Sequence, residues 1–381
     1  MSYLALYRKY RSKTFDEIVG QKHITQSLIN QINNNQINHA YLFTGTRGTG
    51  KTSIAKIFAK AINCLTPVNG SPCNECAICK SLNEGGSVDV MEIDAASNNR
   101  VDEIRELRER VKYPPINCKY KVYIIDEVHM LTDSAFNALL KTLEEPPEYV
   151  VFILATTEVQ KLPATILSRC MRFDFKLLSE EELENHIKYI FKDSGIKYED
   201  EAVSIIARLG AGSVRDALSI ADMCVAFSNK QVTYNSVIEA IGLTDRETLK
   251  SITNSLLNKN EGELLSTIDK VAKKGKNMTQ LSKDLIGFVR DLLVVKTAKD
   301  YENILKLPKS ELKDLEDLKD LASNDKLVEI LTRLSSLDNE FRFTQNPRAL
   351  VEITLLSLCN FEVCEINEVK TKLKQLELKL K

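Results

Sequence analysis

The chain has 381 residues, 43% hydrophobic and 28% charged, with a formal net charge of −1. This is the make-up of a folded protein of two or three domains. No run approaches the ~20 apolar residues of a membrane span and the N-terminus lacks an apolar signal core, so a cytosolic protein is expected. Near-neutral charge gives no global attraction to nucleic acid but leaves room for a local basic surface.

The opening segment is dense in aromatics and cations: Tyr3, Tyr7, Arg8, Lys9, Tyr10, Arg11, then Phe15 and Val19-Gly20-Gln21. Its aromatics suggest that it packs onto the domain that follows. Ile24, Leu28 and Ile32 give a helical face over Gln21–Asn35, and Ala40-Tyr41-Leu42-Phe43 reads as a buried strand. Gly45-Thr46-Arg47-Gly48-Thr49-Gly50-Lys51-Thr52 then matches the phosphate-binding pattern G-x-x-x-x-G-K-[ST]. A helical pattern follows from Ser53. Strand, glycine loop and helix aim backbone N–H groups and a helix N-terminus at a phosphate chain. Lys51 is expected on the β- and γ-phosphates and Thr52 on Mg²⁺.

Four of the nine cysteines cluster as C-x8-C-x2-C-x2-C: Cys64, Cys73, Cys76 and Cys79. Pro67, Gly70 and Pro72 oppose a regular element in the long arm. Four thiolates around one structural Zn²⁺ would hold it; a redox pair or an iron–sulfur cluster remains open. Cys118, Cys170, Cys224, Cys359 and Cys364 read as small core residues.

A strand is expected over 88–93, a polar loop over 94–100 and a helix on Val101, Ile104, Leu107 and Val111, broken by Pro114-Pro115. Val122 to Ile125 is an apolar strand that delivers Asp126 and Glu127. Asp126 suits Mg²⁺, and Glu127 suits polarising a water toward the γ-phosphate. A helix over 133–144 and a strand over 149–155 end at Thr156-Thr157, and Met171 to Phe175 is the last strand. Five strands alternating with helices predict a parallel α/β sheet. Helices follow over 180–193, 199–209, 213–227 and 233–241, with Ser213 as an N-cap and Arg215 in the next turn, where a cation needs an anion to bind. From 243 to 360 the pattern is helical with no catalytic constellation, and Val369, Leu373, Leu376 and Leu380 mark a short amphipathic tail.

Taken together, the P-loop, Asp126-Glu127, Thr156-Thr157, Ser168-Arg169-Cys170 and Gly212-Ser213-Val214-Arg215-Asp216 resemble an AAA+ ATPase. The cysteine insertion, Asp126-Glu127-Val128-His129-Met130-Leu131, the run from Asn137 to Pro147 and Ile166-Leu167-Ser168-Arg169-Cys170 narrow this. They closely resemble the gamma/tau subunit family of bacterial DNA polymerase III clamp loaders. The likeness runs from Tyr3 to about Leu243 and is weaker beyond it. It implies an AAA+ domain at 1–178 with a five-stranded parallel sheet and a zinc module at 64–79. An all-α lid at 179–242, an all-α collar at 243–362 and a tail at 363–381 complete the expected order.

The resemblance also implies roles. Gly45 to Ser53 bind ATP, with Arg11, Val19 and Arg215 completing the nucleotide site. Lys51, Asp126, Glu127, Thr157 as sensor 1 and Arg169 as a finger acting on a neighbour's ATP form the catalytic set. Thr52 and Asp126 hold magnesium, and the four cysteines hold zinc. Ser97, Asn98, Asn99 and Arg100 are candidates for DNA backbone contact, against the alternative of a solvated loop. The implied partners are delta, delta-prime, further copies of the chain, the sliding clamp and primer–template DNA. The family's long form continues through a proline-rich linker, so the chain reads as the short form or a truncated one. A non-hydrolysing scaffold subunit, another AAA+ motor and a small-molecule kinase are the rival readings.

Overall fold

The computed structural model describes residues 4–84, 87–97, 101–305, 307 and 309–360. Asn98, Asn99, Arg100, Cys364, Tyr3 and the amphipathic tail lie outside the described residues, as do the side chains of Val101 and Ile104. Among the described residues no helix is long and apolar enough to cross a membrane. The chain divides into two compact units, Met1–Thr233 and Tyr234–Lys381.

In the first unit β1 (Ala40–Thr44), β2 (Val90–Asp94), β3 (Lys121–Asp126), β4 (Val150–Thr156) and β5 (Met171–Asp174) form one sheet in the order β2-β3-β4-β1-β5. Every pairing is parallel. The central strands are apolar on both faces because helices cover both. Tyr41 and Phe43 join Ile54, Phe58, Val122 and Ile153 on one side. Ala40 and Leu42 join Tyr123, Ile125, Phe152 and Leu139 on the other. Parallel pairing brings all the carboxyl ends to one edge, where ligands of open α/β sheets bind.

Helix Lys51–Asn63 starts on that edge. Helix Asp133–Glu144 is capped by Thr132, whose hydroxyl accepts from Ala135 N–H. After β5 come helices Glu180–Asp193, Asp200–Leu209 and Val214–Phe227. Ser179 and Glu182 form a capping box on the first. Ser213 caps the third by accepting from Asp216 N–H, as expected. The structure adds a two-residue parallel pair, β6 (Lys197–Tyr198) ahead of the second of these helices and β7 (Gln231–Val232) after the third. Two residues are too short to show an alternating pattern, so this non-helical element was absent from the sequence reading.

The opening segment packs onto the nucleotide domain as expected through Phe15, and onto the later helices as well. Phe15 enters the core beneath the sheet, and the short helix Leu6–Lys9 sits on the later helices. Leu6 N–H donates to Asp222 Oδ2 at 2.8 Å, and Tyr10 Oη donates to Asp193 Oδ2 at 2.5 Å. Helix Ala77–Glu84 begins inside the cysteine module, where Pro and Gly on its N-terminal side hide the helical pattern from the sequence.

Every described element of the second unit is a helix, from Tyr234–Ile241 to Pro347–Asn360. Leu281, Leu285, Phe288 and Leu292 of helix Met278–Thr297 are buried among Ile252, Leu327, Ile330, Leu334 and Leu355. Arg246 and Glu311 form a largely buried ion pair, with the guanidinium also 5.3 Å from the Phe288 ring centroid.

Candidate functional site

The glycine loop spans the turn from β1 into helix Lys51–Asn63. Gly48 has φ +79°, in the left-handed region, and faces Ser213 and Arg215 of helix Val214–Phe227. Lys51 is buried; its Nζ donates to the carbonyls of Gly45 and Thr46, both at 2.8 Å. Burial lowers its pKa, and the Glu127 and Asp126 carboxylates work in the opposite direction. The Thr52 hydroxyl donates to Asp126 Oδ2 at 2.7 Å. A hydroxyl and a carboxylate oxygen at one point beside the phosphate loop form a donor set that suits Mg²⁺.

Glu127 sits just past β3 with φ +47°, which turns its side chain toward the tip of β4. Thr157 donates to its Oε2 twice, from Oγ1 at 3.0 Å and from N–H at 3.3 Å. A cavity of about 640 Å³ covers the loop. Its walls include Gly48 to Ser53, Arg47, Asp126 and Glu127. Tyr7, Arg11, Val19, His186 and Arg215 close the other side. Arg215 lies 5.6 Å from the Tyr7 ring centroid. Burial lowers the pKa of His186, favouring a neutral ring.

Arg169 is elsewhere. It does not line the cavity, and its guanidinium is bound to Glu144 Oε1 and the Thr165 carbonyl, each at 2.8 Å. Ser97 is exposed and its Oγ donates to Asp94 Oδ2 at 3.0 Å.

Cys64, Cys73, Cys76 and Cys79 bring their sulfurs within 4.8 Å of one another. The Cys64–Cys73 and Cys73–Cys79 sulfur separations are 3.4 and 4.0 Å. Tetrahedral Zn–S bonds of about 2.3 Å imply sulfurs roughly 3.8 Å apart, so the cluster fits a closed four-thiolate site. The N–H groups of Cys73, Cys76 and Cys79 donate to the sulfurs of Cys64, Cys73 and Cys76. A side-chain hydrogen bond from Thr66, with backbone bonds from Cys76 and Glu75, pulls the Cys73 thiol down to about 6. Cys224 and Cys359 are buried as expected of core residues, whereas Cys118 and Cys170 are only partly so.

Three family models match in succession. They are DNA polymerase III, delta subunit, over residues 20–179; the DNA polymerase III clamp loader subunit ATPase lid domain over 182–230; and DNA polymerase III subunits gamma and tau domain III over 232–376. DNA polymerase III subunit tau of Bacillus subtilis is 42% identical over 99% of this chain and 68% of its own length. DNA polymerase III subunit gamma of Buchnera aphidicola is 36% identical over 93% of this chain and 98% of its own. The chain belongs to the DNA polymerase III gamma/tau family.

It is thus a clamp-loader subunit of DNA replication, with the ATPase character of that family. It spans less than half of some longer gamma/tau relatives: the Escherichia coli tau subunit, 43% identical, is covered over 46% of its length. A solved structure of the Thermotoga maritima RuvB branch-migration motor is 18% identical over 65% of this chain and 79% of that one, with a TM-score of 0.47.

Of the gamma/tau residues named from sequence, Arg47 to Ser53, Asp126, Glu127, Arg11, Val19 and Arg215 meet at one cavity, while Gly45 and Thr46 do not line it and offer their carbonyls to Lys51. Thr157 reaches it through Glu127. Arg169 stands apart. Sequence reasoning missed Tyr7, Tyr10, Ile18, His186 and Leu218 as lining residues. Their only sequence signal is the aromatic-rich N-terminus; His186 and Leu218 look like ordinary helical core positions.

Proposed function

We propose that this chain is the ATP-hydrolysing motor subunit of a sliding-clamp loader. One observation carries the reading: Lys51, Thr52, Asp126 and Glu127 converge at one cavity, with Glu127 held by Thr157. A non-hydrolysing scaffold subunit has no use for that complete set. The loop N–H groups and Lys51 bind the phosphates of ATP. Thr52 and Asp126 hold the magnesium ion, which when bound neutralises phosphate charge. Glu127 orients and deprotonates the attacking water, and Thr157 senses the γ-phosphate through it. Arg215, carried on the lid at 179–242, closes the site from within, and Arg11 and Val19 flank the base.

Arg169 acts in trans, on ATP bound by a neighbouring subunit. Its distance from its own cavity supports that role. The helical unit that follows, placed at 243–362 in the sequence reading, serves as the collar that joins this chain to further copies, delta and delta-prime. ATP binding at the interfaces opens the clamp, and primer–template DNA triggers hydrolysis and clamp closure. Ser97, with Asn98 to Arg100 beyond it, contacts the DNA backbone. The four cysteines hold structural zinc, and the assembly works in the cytoplasm at replication forks. The test is Lys51→Ala in a reconstituted loader: ATP-dependent clamp loading is lost. Loading that persists at the wild-type rate overturns the reading.

A further inference from the structure

We propose that His129 is a positioning residue for ATP hydrolysis, fixing which carboxylate oxygen of Glu127 faces the cavity. The inference rests on the reading of Glu127 as the group that activates water. His129 lies in the 3-10 turn Val128–Met130 that follows Glu127, and its side chain is only 6% exposed. Its Nδ1 is 2.9 Å from Thr156 Oγ1 at the tip of β4, and 3.5 Å from Glu127 Oε2. Its Nε2 is 3.4 Å from Glu158 Oε1, and Glu158 is itself paired with Lys161 at 2.9 Å. One ring therefore joins the turn that carries Glu127 to Thr156 and Glu158 of the neighbouring strand end, and Glu127 itself holds Thr157 between them.

The consequence falls on one atom. Glu127 Oε2 receives the Thr157 hydroxyl and the Thr157 N–H, and His129 Nδ1, bonded to Thr156, stands 3.5 Å from the same oxygen. Among the described residues Oε1 takes no hydrogen bond, which leaves it as the oxygen for the water. Glu127 stands at φ +47°, a backbone region unfavourable to a residue with a side chain and kept only when its surroundings demand it. Thr156 Oγ1 also accepts the Glu158 N–H at 3.0 Å, so the ring engages a turn that is already ordered. Nδ1 can donate to or accept from the Thr156 hydroxyl, whereas the Glu158 carboxylate only accepts, so that contact calls for the proton on Nε2. An apolar residue at 129 would fill the space but lose the polar ties to Thr156 and Glu158, leaving Thr157 alone to hold Glu127.

The test uses the complete loader, with clamp and primed DNA, and measures steady-state ATPase. His129→Leu is expected to lower kcat about 10- to 100-fold, part of the 10²–10⁴ that a positioned base supplies, while KM and ATP affinity stay at wild type. His129→Asn keeps a polar atom near the Nδ1 position and is expected to stay within about threefold of wild type. Thr156→Val removes the ring's partner from the other strand. It should match the His129→Leu loss and add little to it in the double variant, as residues acting as a unit do. An unchanged kcat in His129→Leu, or an equal loss in His129→Asn with a lowered melting temperature, overturns the proposal. Glu127→Gln is run alongside: if it still hydrolyses ATP at the wild-type rate, the reading of Glu127 itself fails. If Glu127→Gln is inactive and His129→Leu is not impaired, only the role of His129 falls.

Discussion

Gly48 is where the phosphate loop meets the helix that carries Arg215, and adding one methyl group there should pry them apart. A Cβ at Gly48 would lie 1.9 Å from Ser213 Oγ, 3.1 Å from Ser213 Cβ and 3.3 Å from Arg215 Cβ. Gly48→Ala therefore has two separable penalties. The left-handed backbone costs an alanine about 1–2 kcal/mol. The 1.9 Å approach is far inside van der Waals contact, so Ser213 Oγ must swing off its cap on Asp216 N–H, and the 3.1 and 3.3 Å contacts to Ser213 and Arg215 Cβ push helix Val214–Phe227 away from the loop. A combined loss of about 2–3 kcal/mol corresponds to roughly 30- to 150-fold weaker ATP binding, at 1.4 kcal/mol per tenfold. Ser213→Gly removes the colliding atoms, and the lost cap on Asp216 N–H costs only a few tenths of a kcal/mol. The double variant should thus recover the collision part and keep the backbone part. Gly50→Ala is the control: φ is +101° but nothing lies within 4 Å of its Cβ, so Ser213→Gly should not help it. ATP affinity is read by titration calorimetry. Wild-type binding by Gly48→Ala, or no relief from Ser213→Gly, refutes the reasoning.

Three more expectations follow from particular contacts. Arg169→Ala should leave ATP affinity of the isolated chain unchanged yet lower turnover in the assembled ring by roughly 10³ or more; lost affinity in the monomer contradicts the trans placement. Zinc analysis of purified protein should find one ion per chain, and Cys76→Ser should lower both zinc content and melting temperature; absent zinc, or a coloured iron cluster, contradicts the four-thiolate reading. Asp89→Asn should destabilise the first unit by about 1–3 kcal/mol near pH 7, measured by urea unfolding. Burial raises the Asp89 pKa, but bonds from the N–H groups of Asn117, Ile116 and Cys118 outweigh it and hold the carboxyl below its ordinary value. A depressed folded pKa gives stability that is present above the unfolded value, about 3.9, and lost as pH falls through the folded one. The gap between wild type and Asp89→Asn should therefore close in acid, and a gap that widens there contradicts the assignment.

The parts of this molecule written in short-range pattern were legible in the sequence. The glycine loop, the strand ending at Asp126-Glu127, helix Asp133–Glu144 and the Ser213 cap all depend on residues a few positions apart. Cavity residues contributed from a distance were not. Leu6 reaches Asp222 and Tyr10 reaches Asp193 across more than 180 residues of chain, which no local periodicity encodes. His186 occupies a helical face whose spacing suits a plain core position, and only the packed structure turns it to the cavity. The left-handed φ of Glu127, and with it the bond to Thr157, follows from the turn after β3 rather than from residue type. The clamp of Glu144 on Arg169 joins two segments that sequence treats separately.

A motor subunit of the loader must spend ATP in response to its partners. The direct measurement is the ATPase rate of the chain assembled with its partner subunits, alone and then with sliding clamp and primed DNA. The ring by itself should hydrolyse ATP slowly, with a marked rise when both clamp and primed DNA are present, abolished by Arg169→Ala. A rate indifferent to clamp and DNA would leave an ATPase of the same fold but contradict its role as the loader's motor.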